Sequence, residues 1–349
     1  MRDSIHSCGA GLCLPVLLWA SLAAGDIVSL EVFPPRAQLD SSRDHQRLIV
    51  QATHADGRTE DVTAAATITA TNPALTAIDR HEGRIILRPQ ADGEAAIRVE
   101  HAGHAREIPL KVVSATSEPP LSFRLDVMPV FARAGCNMGS CHGAARGKDG
   151  FRLSLFGYDP AGDYQRITRE FPGRRIDPGA PAHSLLVEKA IGGVPHTGGK
   201  RFELESDLAD RLVRWIGAGA PDDPGPVAQL VGLDLYPPTA LLAGVGVAQS
   251  FVAVARFADG TDRDVTDLCW YGSNNDPTAK VSPAGLVTSG SRGEAFIMAR
   301  YDTITVGRPL VVVPKDLSFT FPPQEGPTWI DELVNAKLAA LRIAPSAAC

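Results

Sequence analysis

Leu30-Glu31-Val32-Phe33-Pro34-Pro35 returns 203 residues later as Leu233-Asp234-Leu235-Tyr236-Pro237-Pro238. Ala55-Asp56-Gly57 followed by Asp61-Val62-Thr63 returns at the same offset as Ala258-Asp259-Gly260 followed by Asp264-Val265-Thr266. A third pair, Gly93-Glu94-Ala95-Ala96-Ile97 and Gly293-Glu294-Ala295-Phe296-Ile297, lies 200 residues apart. Three matches in one order, with one small change of length, mark an internal duplication. Each copy reads as all-β. Leu48, Val50 and Ala52 alternate with Ile49 and Gln51, and Phe251, Ala253, Ala255 and Phe257 alternate with their neighbours, the period of two of a half-buried strand. Asp56-Gly57 and Asp259-Gly260 supply the positive-φ turns that close hairpins. Short strands with turn signals over about 85 residues predict a small β-sandwich for each copy.

The Asp-Gly turn, the following Asp-Val-Thr and the late Gly-Glu-Ala strand resemble bacterial immunoglobulin-like domains of the second group, over Ile27–Val113 and Val231–Val313. The resemblance implies spacer or adhesive modules, with contact to a cell surface or a polysaccharide. Neither copy contains a convergent set of His, Cys and carboxylate residues. Asp61 and Asp264 could ligate calcium, but turn formation explains them more simply. Cys269 beside Trp270 reads as core filling.

The chain of 349 residues has room for two or three domains, each with its own core. Its net charge of −6 is modest and no block of Lys and Arg stands out, which argues against a nucleic-acid partner. Arg2, the apolar run Leu12–Ala20 and the small residues Ser21, Ala23, Ala24 and Gly25 read as a secretory signal over 1–25. After it, no apolar run approaches the roughly 20 residues needed to span a bilayer. Export to the periplasm or cell surface leaves Cys136, Cys141, Cys269 and Cys349.

Between the copies the composition changes. Ser117-Glu118-Pro119-Pro120 opens a separate segment and Ala220-Pro221-Asp222-Asp223-Pro224-Gly225-Pro226 closes it. Inside it lies Cys136-Asn137-Met138-Gly139-Ser140-Cys141-His142. Two nearby thiols with a histidine directly after the second follow the logic of c-type haem attachment, with thioether anchors and a proximal imidazole. The usual spacing has two residues between the cysteines, and here there are four. A disulfide loop with an incidental His142, or half of a zinc site, are the competing readings; zinc would require two further ligands. Upstream, Leu121–Gly135 reads as a short helix with Leu125, Met128, Phe131 and Ala132 on one face. Downstream, Ser206 caps a helix with Leu208, Leu212, Trp215 and Ile216 on its apolar face, stopped by Gly217, Gly219 and Pro221.

Phe131–Cys136, His142-Gly143-Ala144, the run Gly150–Asp159, the run Val194–Phe202 and the closing Trp215–Pro221 together resemble the planctomycete-type cytochrome c domain, over Ser122–Pro221. The resemblance implies one covalent haem c and an electron-transfer role with a redox protein partner. It also implies that the tail from Pro314, with its helical stretch Trp329–Leu338, leads into further domains. His196, in the loop before the last helix with Pro195 and Gly198-Gly199 around it, is the expected distal ligand. His183 is the rival, and an open sixth position is the third option. Arg174, Arg175, Lys200 and Arg201 could meet haem propionates or simply face solvent. Phe151, Phe156 and Tyr158 are expected in the core.

The expected fold is therefore multi-domain, with two all-β Ig-like sandwiches (26–115 and 229–314) flanking a mainly α cytochrome c-like domain (121–225), and 315–349 as linker and helix. Cys136 and Cys141 are the cofactor anchors; His142 and His196 are the metal ligands. No nucleophile–base pair or paired-carboxylate site stands out, so an electron carrier is favoured over an enzyme. The alternative is a non-haem surface or adhesion protein with a Cys136–Cys141 disulfide.

Overall fold

The computed structural model describes residues 26–323 and 328–346; the export signal read at 1–25 and Cys349 lie outside the described residues. Two Ig-like β-sandwiches flank a helical segment. In the first, Ile27–Phe33, Gln46–His54, Arg84–Pro89 and Thr76–His81 form one sheet, joined by Thr59–Asp61 on the Gln46–His54 strand. The facing sheet runs Ala37–Leu39, His104–Val112, Gly93–His101 and Thr67–Ala70, its first pair parallel. Leu30, Leu39, Leu48, Leu87, Ile97 and Leu110 fill the space between them. The second sandwich repeats this plan, with the equivalent of Gln46–His54 divided into Ala248–Ser250 and Val252–Phe257. Both Asp-Gly pairs sit in hairpin turns, with Gly57 at φ 83° and Gly260 at φ 87°.

The alternation in Gln46–His54 predicts one solvent face, but every residue from Gln46 to Ala52 is buried. The reason is the other sandwich. Phe33 and Ile49 pack on Tyr236, Val252 and Val254 in a small core of their own, and the Phe33 and Tyr236 rings stack with centroids 5.6 Å apart. Hydrogen bonds around this core run in both directions. Asp61 Oδ2 accepts from the Ser250 backbone N–H (2.9 Å), and Asp264 Oδ2 accepts from the Arg47 N–H (2.7 Å). Positions 61 and 264, and 47 and 250, are both related by the 203-residue repeat. The two copies thus meet as an isologous pair inside one chain, each offering the other the same patch. The remaining oxygen, Oδ1, of each carboxylate accepts from the hydroxyl and N–H of its own Thr63 or Thr266, which is the local role expected of the motif.

The central segment begins with a turn of π-helix, Phe123–Val127, continued by the α-helix Met128–Arg133, so the single helix expected there changes its winding midway. Helices Pro160–Thr168, Leu185–Ile191 and Asp207–Gly217 follow. Ser206 caps the last of these by accepting from the Ala209 N–H, and its buried face is Ala209, Leu212, Trp215 and Ile216. Phe123 packs against Tyr164 (5.2 Å) and Trp215 (5.4 Å) at its centre. Asp223 ties the exit of the segment to its entrance by accepting from the Phe123 and Arg124 N–H groups.

This segment does not hang between the sandwiches as a spacer would hold it; it shares one continuous core with the second. Asp126 receives Arg211 (3.2 Å) from the segment's own last helix and Arg263 (3.0 Å) from the second sandwich. The Leu125 carbonyl accepts from Tyr301 Oη and from Arg263. Helix Trp329–Ala340 is capped reciprocally by Thr328 and Asp331 and is linked to the sandwiches through Lys337–Glu294 and, just past its end, Arg342–Asp56. Its apolar residues Trp329, Ile330, Leu333 and Val334 face solvent.

Two predictions follow from the junction. Asp264→Ala leaves a buried backbone N–H without its acceptor and should cost about 2–3 kcal/mol. Asp61→Ala, at the more exposed half of the pair, should cost less; urea midpoints of the two variants check the order. Burial pushes the Asp44 carboxyl up to about 7, against the Asp40 and His45 N–H groups and Arg263 that favour its charge. An acid whose pKa is raised on folding stabilises the fold at low pH and loses that contribution as pH rises to the folded value. Stability should therefore fall between about pH 4 and 7, starting from the ordinary carboxyl value. Asp44→Asn should flatten that slope in thermal melts.

Candidate cofactor site

The helix Met128–Arg133 delivers the chain into a loop held by its own backbone. Cys136 N–H donates to Phe131 O, Cys141 N–H to Met138 O, and His142 N–H to Cys136 O. The glycine after the histidine is a steric requirement, because a Cβ at Gly143 would overlap the Asn137 carbonyl oxygen. His142 is then fixed from the other side. Its carbonyl accepts from the Leu153 N–H (2.8 Å), its Nδ1 donates to Phe151 O (3.0 Å), and its ring rests on Phe151 (4.8 Å). Arg175, buried and bonded to the carbonyls of Arg166, Glu170 and Gly150, lies over the other part of that environment with its guanidinium 4.7 Å from the Phe151 ring.

His196 enters from the loop between Leu185–Ile191 and Asp207–Gly217. Its ring is parallel to that of His142 within 6°, with centroids 6.1 Å apart. Its Nδ1 donates to Gly199 O (3.1 Å). A carbonyl only accepts, so in both histidines Nδ1 carries a proton, and Nε2 is the nitrogen that a metal could take in the neutral tautomer. Burial holds His142 below its ordinary pKa, with the Phe151 carbonyl acting in the opposite direction, so the neutral, ligating form dominates at pH 7. His183 lies elsewhere, exposed and paired with Glu188 (2.9 Å), and does not line the cleft.

The cleft holding both rings is lined by Cys136, Phe131, Phe202, Leu212, Leu185 and Leu186. Arg174, Arg175, Arg201, Lys148 and Lys189 add charge, with Asp149 as the one lining carboxylate among the described residues. Of the four cations expected near propionates, Lys200 instead pairs with Glu203. Arg201 sends Nη2 to Cys141 Sγ (3.4 Å), and its buried Nε has no acceptor among the described residues. Cys136 and Cys141 are both free thiols, and burial pushes Cys136 up to about 11. Among the described residues no group of three or more His, Cys, Asp and Glu side chains is arranged to hold a bare metal ion.

Two aromatic expectations are corrected. Phe156 and Tyr158 are at the surface, not in the core: Phe156 has φ 57° in the tight turn Leu155–Gly157 and lies against Arg300 of the second sandwich (4.5 Å), and Tyr158 is 75% exposed. Sequence reading missed Lys148, Lys189 and the leucines at 185, 186 and 212 as cleft residues. Only Leu212 carried a signal, through its place on the apolar helix face.

No protein-family model matches this chain, and no curated protein matches it. Among solved structures, domains 5–6 of the S-layer protein SbsC align over 82% of this chain and 98% of that one, at 8% identity and a TM-score of 0.31. A C-terminal fragment of intimin, in complex with the intimin-binding domain of its translocated receptor, aligns over 83% and 64%, at 12% identity and 0.20. Yersinia pseudotuberculosis InvD aligns over 82% and 57%, at 10% and 0.17. The chain spans 29% of the SbsC structure of domains 1–6. No helix among the described residues is long and apolar enough to cross a membrane.

The loop geometry is checked by two glycines. Gly143→Ala meets backbone and should cost more than about 2 kcal/mol or prevent folding of the segment. Gly150→Ala meets open space and should cost only the left-handed backbone strain, about 1–2 kcal/mol. Chemical denaturation monitored by tryptophan fluorescence separates the two.

Proposed function

We propose that this chain is an exported c-type haem protein that carries electrons, with its Ig-like sandwiches as the frame. Cys136 and Cys141 would anchor one haem through thioethers, with His142 and His196 as its axial ligands. The observation that carries this reading is the pair of parallel imidazoles across one cleft, each with its Nδ1 proton given to a carbonyl, beside the Cys136 thiol, with Cys141 reached from the cleft wall through Arg201. Bound haem would supply one-electron redox chemistry. The chain's own contribution is fixed orientation of His142, apolar walls that keep water from the site, and Arg174 and Arg201 as cations for its carboxylates. The redox partner would be another protein.

A second reading is a non-haem surface protein whose Cys136 and Cys141 close a disulfide. It is favoured by the two interlocked sandwiches, which form the larger part of the described chain and in which we identify no chemical site.

Expression in a host with an active c-type maturation system, followed by a haem stain of a denaturing gel and a pyridine-haemochrome spectrum, separates the two. Haem that remains on the denatured chain and is lost in Cys136→Ala/Cys141→Ala supports the first reading. A colourless protein beside a control cytochrome that matures normally supports the second. His142→Ala should lose the low-spin spectrum, and an unchanged spectrum would remove His142 from the ligand set.

A further inference from the structure

The two histidines that face the cleft are held by different means. His142 is fixed by three bonds to other parts of the segment: its N–H to Cys136 O, its carbonyl to Leu153 N–H, and its ring to Phe151 O. Leu153 is buried, and Phe151 is clasped by Arg175. Displacing this imidazole requires breaking the packed core behind it.

His196 is anchored only to its own loop. Its ring donates to Gly199 O, and its carbonyl accepts from the Gly199 N–H (2.9 Å), so both bonds travel with the loop. From Pro195 to Lys200, no backbone N–H or C=O is bonded to backbone outside the loop among the described residues. The remaining ties are exposed side chains: Lys189 Nζ to Pro195 O (3.1 Å), Thr197 Oγ1 to Asp149 (3.4 Å) and, at the loop's end, Lys200 to Glu203. The first backbone bonds back to the helix Leu185–Ile191 or its carbonyls come at Val194 (3.4 Å) and Arg201 (2.7 Å). Gly199 at φ 69° and the adjacent Gly198 give the segment backbone freedom between those points. Solvated side-chain bonds of this kind contribute little, so opening the loop costs far less than moving His142.

From this asymmetry, and resting on the haem reading above, we infer that His142 is a permanent ligand and His196 a replaceable one. The cleft therefore also binds a small neutral π-acceptor molecule of two atoms, in the place that the His196 imidazole leaves. The exchange is a ligand substitution at reduced iron: one nitrogen lone pair departs, one external lone pair arrives, and no electron is transferred.

The test uses the full-length holoprotein, reduced with dithionite and mixed with carbon monoxide, followed by absorbance. The wild type should take up carbon monoxide completely, at a rate that levels off as its concentration rises, the plateau being the departure of His196. In His196→Ala the plateau should disappear and uptake should stay proportional to concentration. Gly198→Ala offers an intermediate case, because its Cβ would lie 2.7 Å from His196 Cε1 and press the ring out of line. Its plateau should rise by about tenfold. Independently of ligand, hydrogen exchange should be faster for the amides of 195–200 than for those of 151–153. A reduced wild type that stays free of carbon monoxide while His196→Ala binds it would overturn the inference. So would a wild type that matches His196→Ala at every concentration. A gel without covalent haem would instead remove the haem reading itself, which keeps the two failures distinct.

Discussion

Two backbone N–H groups, that of Arg47 buried and that of Ser250 half-buried, lie on the strand faces where one sandwich meets the other, and each receives a carboxylate from the opposite copy. An unpaired N–H there would lose its hydration with no replacement, at a cost of about 1–3 kcal/mol each. One residue type at one repeated position, Asp61 and Asp264, satisfies both. Because the motif donates and receives in the same way from either side, the duplication made a surface complementary to itself. The hydrophobic part of the contact, Phe33 and Ile49 on Tyr236, Val252 and Val254, uses repeat-related positions as well. Everything else is built on the frame that this contact fixes.

The inserted segment takes its position from that frame through a short list of links. The Leu125 carbonyl and the Asp126 carboxylate together receive Tyr301, Arg263 and Arg211, so the start of the first helix is tied to the second sandwich at two adjacent residues. Buried charges of this kind stabilise only when their hydrogen bonds are complete. Asp126 meets that condition, with the Ser122 N–H on its second oxygen. About two helical turns further on, past Arg133, the chain reaches the cysteine loop. The position of His142 is therefore set by contacts that extend unbroken from the junction of the sandwiches to the cleft.

Much of this was legible in the sequence, and the parts that were not share one cause. The duplication, the Asp-Gly hairpins and the Ser206 cap are local patterns, and local patterns survive in one dimension. The alternation at Leu48, Val50 and Ala52 correctly gave the core face. It could not show that Ile49 and Gln51 are buried too, since a strand covered on both sides by two different modules still reads as alternating when its second face carries mixed residues. Asp61 and Asp264 read as turn formers, which describes one oxygen of each and misses the other. Cys136, Cys141 and His142 were visible because they are close in sequence, and the structure puts Cys136 and His142 in one cleft. His196 was visible through the glycines around it. The Phe151 carbonyl that sets the His142 tautomer, and the lysines on the rim, come from segments unrelated in sequence and carried no pattern.

Charge distinguishes the two functional readings more sharply than the thiols do. Free cysteines five positions apart suit either a thioether pair or a disulfide. The cleft beside Cys136, however, gathers Lys148, Arg174, Arg175, Lys189 and Arg201 against one lining carboxylate among the described residues, Asp149. Arg175 is accounted for by Glu170 and by three carbonyls. Arg201 is not: it reaches a sulfur with one nitrogen and leaves a buried Nε with no acceptor among the described residues. Lys148 and Arg174 are exposed at the cleft rim, so their charge is solvated, while Arg201 carries its unpaired Nε inside. A flat dicarboxylate ligand would supply the missing anions and fill the space between the rings. On the haem reading proposed above, these cations would face the carboxylates of the bound group, and Arg201 would gain the acceptor that its Nε lacks among the described residues.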